Sequence, residues 1–209
     1  MSRSTDPVPA GPLAKVAAER AAAICARVEL SAEGMAGLLP GLSPQGFLSV
    51  LIGGRHFADA IRFLAHALPA REGVWWACVV AGRAPLSEGE GVCLDRAEAW
   101  VYEPTDARRR VCLPAAEALA FKGAAAYAAL AAFWSGGSLA PEGMAEVPPH
   151  PDLAAIGVGA SLLLAAAAGD PLRADDTFRE ILVRGIDIAG GGNGRLAGDR
   201  SRTAAGGAA

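Results

Sequence analysis

Aromatic side chains are scarce in this 209-residue chain, at 6% of its residues, although 52% are apolar. A core dominated by large rings is thereby excluded. Small side chains each bury little area, so close approach of helices and a few large residues must supply the packing. Neither sign of charge dominates: the formal net charge is -3, which offers no long-range attraction to a phosphate backbone or an acidic lipid surface. No nucleic-acid partner is expected. The first twelve residues carry Arg3, Asp6, Pro7, Pro9 and Pro12 but no apolar run, so no secretory signal is read there and a cytoplasmic location is expected. Cysteine is confined to Cys25, Cys78, Cys93 and Cys112, far apart in sequence, which suits buried reduced thiols better than a disulfide framework.

Chemistry-bearing motifs are equally thin. The histidines are His56, His66 and His150. The first two are ten residues apart on a predicted helix, about 80° out of phase, and cannot converge on a metal. There is no Cys-x-x-Cys, no phosphate-binding glycine loop and no Gly-x-Ser-x-Gly turn, so neither metal, cofactor nor catalytic residue is assigned. Leu153 to Gly169 carries no charge, at the short end of a membrane span. It is rich in Ala and Gly and lacks aromatic or cationic flanks. A buried bundle helix is read there, and no membrane insertion is expected.

What is present is a succession of helical patterns divided by Pro and Gly. Helices are predicted over Leu13–Glu29, as a short turn after Ser31, over Pro44–Ile52 behind a Ser43 cap, and over Arg55–Leu68. A nearly all-apolar helix opened by Pro69 and closed by Gly82 follows. After Pro85 the stretch LSEGEG reads as an acidic loop, in which Glu88 and Glu90 only attract water. Further helices are predicted over Leu94–Tyr102, Thr105–Cys112, Pro114–Trp134 and 153–169. The last runs over Ala174–Ala189, with Asp175 and Asp176 as capping residues. Arg108, Arg109 and Arg110 read as a solvated face open to an acidic contact. The fold expected is all-α, a compact multi-helix bundle or helical-hairpin array. It comprises a disordered N-terminus over 1–12, a single helical domain over 13–189 with a linker over 135–151, and a disordered Gly-rich tail over 190–209.

The most informative stretch is Pro69 to Arg83, which places Arg71 and Glu72 one turn ahead of Trp75 and Trp76. Adjacent helical residues point about 100° apart, so both rings cannot face one neighbour. Trp and Arg are typical of interface hot spots, which makes Arg71, Glu72, Trp75 and Trp76 candidate partner-binding residues.

The run ADAIRFLAHALPAREGVWWACVVAGR and the closing DPLRADDTFREILVRGIDIAGG resemble an uncharacterised bacterial family with an Arg-Glu-x-Val-Trp-Trp-Ala-Cys signature. The resemblance covers most of residues 40–190. It implies no catalytic residue and a link to type VI secretion loci. The reading that results is a non-enzymatic, cytoplasmic, helical adaptor or chaperone-like accessory protein that binds another protein. The alternative is an enzyme or small-molecule-binding protein whose site is assembled from distant residues, with Arg71, Glu72, His66 and Asp175 as first candidates.

Overall fold

A computed structural model describes Pro7, Pro9, residues 11–196 and Asp199. Among the described residues every regular element is helical, as expected. The helices are α1 (Ala21–Cys25), α2 (Ala32–Ala36), α3 (Pro44–Gly53), α4 (Phe57–Ala67), α5 (Ala70–Ala81), α6 (Glu88–Tyr102), α7 (Asp106–Arg110), α8 (Cys112–Ala118), α9 (Gly123–Phe133), α10 (Leu153–Ala167) and α11 (Ala174–Ala189). A 3-10 turn over Pro171–Arg173 precedes α11.

Helix starts follow local side-chain chemistry. Ser31 and Ser43 accept hydrogen bonds from the amides of Gly34 and Gly46 at 3.0 and 3.1 Å, satisfying donors that the first turn leaves unpaired. The acidic loop expected after Pro85 is instead the start of α6. Ser87 and Glu90 form a capping box in which each side chain serves the other residue's backbone. Two hydrogen bonds from Ser87, through its amide and hydroxyl, hold the Glu90 carboxyl below its usual range. The Ser-x-x-Glu spacing that signals this box is present in the sequence, where Gly89 and Gly91 give the stretch the composition of a loop.

Three other predicted segments differ. The helix expected over Leu13–Glu29 is reduced to α1, because amides before it bond to distant carbonyls: Lys15 to Ala189 at 2.8 Å and Ala21 to Leu42 at 2.9 Å. Tertiary bonding outweighs propensity there. The helix expected over Pro114–Trp134 is broken between α8 and α9 by left-handed backbone at Ala120, Phe121 and Gly123, with φ of 51°, 59° and 84°. The amides of Phe121 and Ala120 close α8 on the carbonyls of Ala116 and Glu117. Helix ends of this kind normally announce themselves by glycine, and alanine and phenylalanine occupy the first left-handed positions here. The disordered tail expected from residue 190 is not what its first residues form: residues 190–196 and Asp199 are held against α5 and α11, as described below. The rest of that tail, and most of the expected N-terminal one, lie outside the described residues.

One cluster of buried side chains extends from Leu13 to Ala189. At its centre α9 and α10 pack closely and also contact α5. The hydroxyl of Ser161 on α10 donates to the carbonyl of Ala124 near the start of α9, at 2.8 Å. Gly157, one turn earlier, lies against Ala131 and Trp134 at the other end, where a methyl group would sit 3.1 to 3.2 Å away. The two helices therefore run antiparallel at a separation only small residues permit. Among the described residues no single helix is long and apolar enough to cross a membrane. α10 buries one face, with Val158 and Leu162 inward, and leaves Ile156 half exposed.

Of the three arginines at 108–110, Arg108 stays at the surface, paired with Glu103, and the other two are not part of a solvated face. Arg109 is buried and donates to the carbonyls of Phe133 and Ser138 at 2.7 and 2.9 Å and to Asp106. Arg110 reaches the carbonyl of Ala140 at 2.9 Å. Together they fasten the 135–151 excursion to α7, and their hydrogen bonds hold the Asp106 carboxyl below its usual range. All four cysteines are buried, as expected. Burial pushes the Cys93 thiol up to about 11 and the Cys112 thiol up to about 12.

Candidate functional site

The two adjacent tryptophans separate as helical geometry requires. Trp76 is fully buried, and its indole N–H donates to the carbonyl of Ile181 on α11 at 2.9 Å. Its ring lies so close to Gly185 that a methyl group there would come within 2.5 Å of it. Trp76 is thus a core residue, and its place in a binding site is withdrawn. Trp75 points about 100° away and is only partly buried. Its N–H donates to the carbonyl of Asn193 at 2.8 Å, the Tyr102 ring meets it edge-on with centroids 6.0 Å apart, and the Arg195 guanidinium lies 5.4 Å over its face.

Arg71 and Glu72 precede Trp75 by four and three residues and share its face of α5. The Arg71 Nε donates to the carbonyl of Val101 at 2.6 Å, so this arginine satisfies one of the carbonyls left open at the end of α6. Glu72, in the first turn of α5 where the helix dipole favours an anion, faces Lys15 at 3.5 Å. Arg71, Glu72, Trp75, Tyr102, Ile188 and Asn193 line one open cleft of about 360 Å³. Tyr102, 68% exposed, forms its outer wall. Tyr102 and Asn193 were not singled out in the sequence. Each neighbours the cleft only through the packing of α6 and the chain after α11 on α5.

The distant-residue alternative finds its candidates apart. His66 lies in other grooves, beside α10, together with Arg27 and Ala155. It is 7% exposed, and its Nδ1 contacts the Arg62 carbonyl at 2.8 Å. Burial lowers its pKa, with that carbonyl pulling the other way. Asp175 forms ion pairs with Arg55 and with Arg179 instead of capping α11, whose first residue has no side-chain cap. No group of three or more His, Cys, Asp or Glu that could hold a metal ion occurs among the described residues.

Next to the cleft lies Arg184, on α11, 1% exposed. Its guanidinium donates to the carbonyl of Gly194 at 2.9 Å, to both oxygens of Asp199 at 2.5 and 2.9 Å, and to Glu180 at 3.0 Å. The ion pair with Arg184 holds the Asp199 carboxyl well below the usual carboxylate range. Sequence reading passed over Arg184, although it falls within the stripe of Ile181, Leu182, Gly185 and Ile188 that α11 buries. A lone cation in an inward stripe is the available signal.

Residues 47–189, more than half of the chain, match the family of unknown function (DUF6931). No curated protein and no solved structure matches the chain.

Proposed function

We propose that this chain, which thereby belongs to the family of unknown function (DUF6931), is a non-enzymatic helical adaptor. In this reading it binds another protein through the cleft around Trp75. The observation that carries the proposal is Trp75 itself: a large ring left half covered at the surface in a protein poor in aromatics, beside an exposed tyrosine, an arginine and a glutamate. Aromatic and arginine side chains at a shallow, partly apolar cleft are what protein interfaces use as anchors. The dispersal of His66 and Asp175 away from Arg71 and Glu72 favours this reading over an enzyme. On the resemblance to a family linked with type VI secretion, the partner is sought first among components of such an apparatus in the cytoplasm.

The test uses Tyr102→Ala, which removes an exposed ring without touching the core. The tagged chain retains one partner in stoichiometric amount, and the variant, melting like its parent, loses it by tenfold or more. Equal retention by parent and variant would sink the cleft as the docking site.

A further inference from the structure

The chain after α11 is already seated on this surface, and it shows what the surface takes. Residues 193–196 and Asp199 form a strap anchored at three places. The Asn193 carbonyl accepts the Trp75 indole N–H at 2.8 Å. The Gly194 amide donates to Asp187 at 2.8 Å while its carbonyl accepts from Arg184 at 2.9 Å. The Asp199 carboxylate then closes on Arg184 and also accepts from the Leu196 amide at 2.8 Å. Backbone carbonyls and one carboxylate, presented by described residues outside any helix or strand, are what a binding surface reads in an extended peptide.

Two further observations mark the surface as a receptor. Arg184 is buried with its Nε unpartnered, so the strap leaves part of the guanidinium fork unused. A buried arginine is costly unless its donors are met; Glu180 meets one of them from within α11, and a carboxylate brought by the covering segment meets others, as Asp199 does. The family match ends at residue 189, so Trp75 and Arg184 fall within the shared region and the strap that covers them does not.

The geometry points to a peptide-docking surface in which the strap is a ligand in cis. In trans the surface takes an extended, carboxylate-bearing segment of a partner protein, which brings a backbone carbonyl to the Trp75 indole and the carboxylate to Arg184. This rests on the Trp75 cleft being a docking site and adds its occupant's chemistry and its control, since the partner must displace the strap.

The experiment titrates a peptide of sequence GGNGRLAGDR, the strap's own residues 191–200, into the full chain carrying Asp199→Asn. Binding is followed by calorimetry and by protection of α5 and α11 amides from hydrogen exchange. The peptide binds the variant at least tenfold tighter than it binds the parent chain, whose own strap competes. It also binds at least tenfold tighter than the same peptide with asparagine in place of its aspartate. No binding, or equal binding of the two peptides, overturns the inference. A second measurement needs no variant: in the parent chain the Gly194 and Leu196 amides exchange through local opening, faster than those of α9 and α10. Exchange of these amides only through global unfolding would show the strap to be part of the core and overturn the inference. A partner lost with Tyr102→Ala but held equally by the parent and Asp199→Asn chains overturns the strap inference and leaves the cleft reading standing.

Discussion

At the residue scale, the two neighbouring tryptophans have opposite fates because one backbone step on a helix turns a side chain by about 100°. The consequence is a contrast in stability. Trp76→Ala removes a fully buried ring together with the hydrogen bond it donates to Ile181, at a cost of about 3–5 kcal/mol. Trp75→Ala, at a half-covered position, costs about 1 kcal/mol. Urea unfolding of both variants measures the difference, and equal losses would contradict the assignment of one ring to the core. His66 supplies a pH dependence. Burial favours its neutral form, so its folded pKa lies below the unfolded value of about 6.5. Below that value the unfolded chain binds the extra proton, and stability that is whole above about pH 6.5 is lost as pH falls through the lowered folded pKa. The urea midpoint is therefore expected to drop between about pH 7 and pH 5, and His66→Gln to flatten that drop.

At the element scale, stability depends on how helices start and how closely they approach. Ser87→Ala breaks the capping box of α6 and is expected to cost about 1 kcal/mol, read as a lowered melting temperature with the fold intact. Gly157→Val fills the contact where α10 meets Ala131 and Trp134. Backbone is among the atoms that would have to move, so a loss of roughly 1–3 kcal/mol is expected. Thermal melting that matches the parent would show that α9 and α10 have slack between them. Elements whose ends carry Ser-Pro or Gly-Gly were readable from the chain, whereas the Ser-x-x-Glu start of α6 reads as a loop. The α8 end was not readable, because its left-handed positions hold Ala120 and Phe121, and only packing selects such strained backbone over a continued helix.

For the whole molecule, the two ends of the described chain meet across α11: Lys15 bonds the carbonyl of Ala189, and the strap returns over α5 to Arg184 and Trp75. A chain ending at Ala189 loses the Asp199 carboxylate from a buried arginine, a charge-assisted contact worth about 2 kcal/mol. At 2–4 °C per kcal/mol for a chain of this size, its melting temperature is expected to fall by roughly 5 °C. An unchanged value in a thermal scan would mean that Glu180 alone satisfies Arg184.

The sequence by itself determined the helical class, most helix starts, the burial of the cysteines and the shared face of Arg71 and Trp75 on α5, because each follows from periodicity, capping or composition within a few residues. Tertiary structure alone decided which tryptophan faces outward, that Arg109 and Arg184 are buried anchors, and that Asn193 reaches the cleft while Asp199 reaches Arg184. Those outcomes depend on hydrogen bonds and contacts between residues far apart in the chain, such as Trp75 with Asn193. No local pattern encodes such a pairing, since its free energy exists only once both segments have been brought together by the rest of the core.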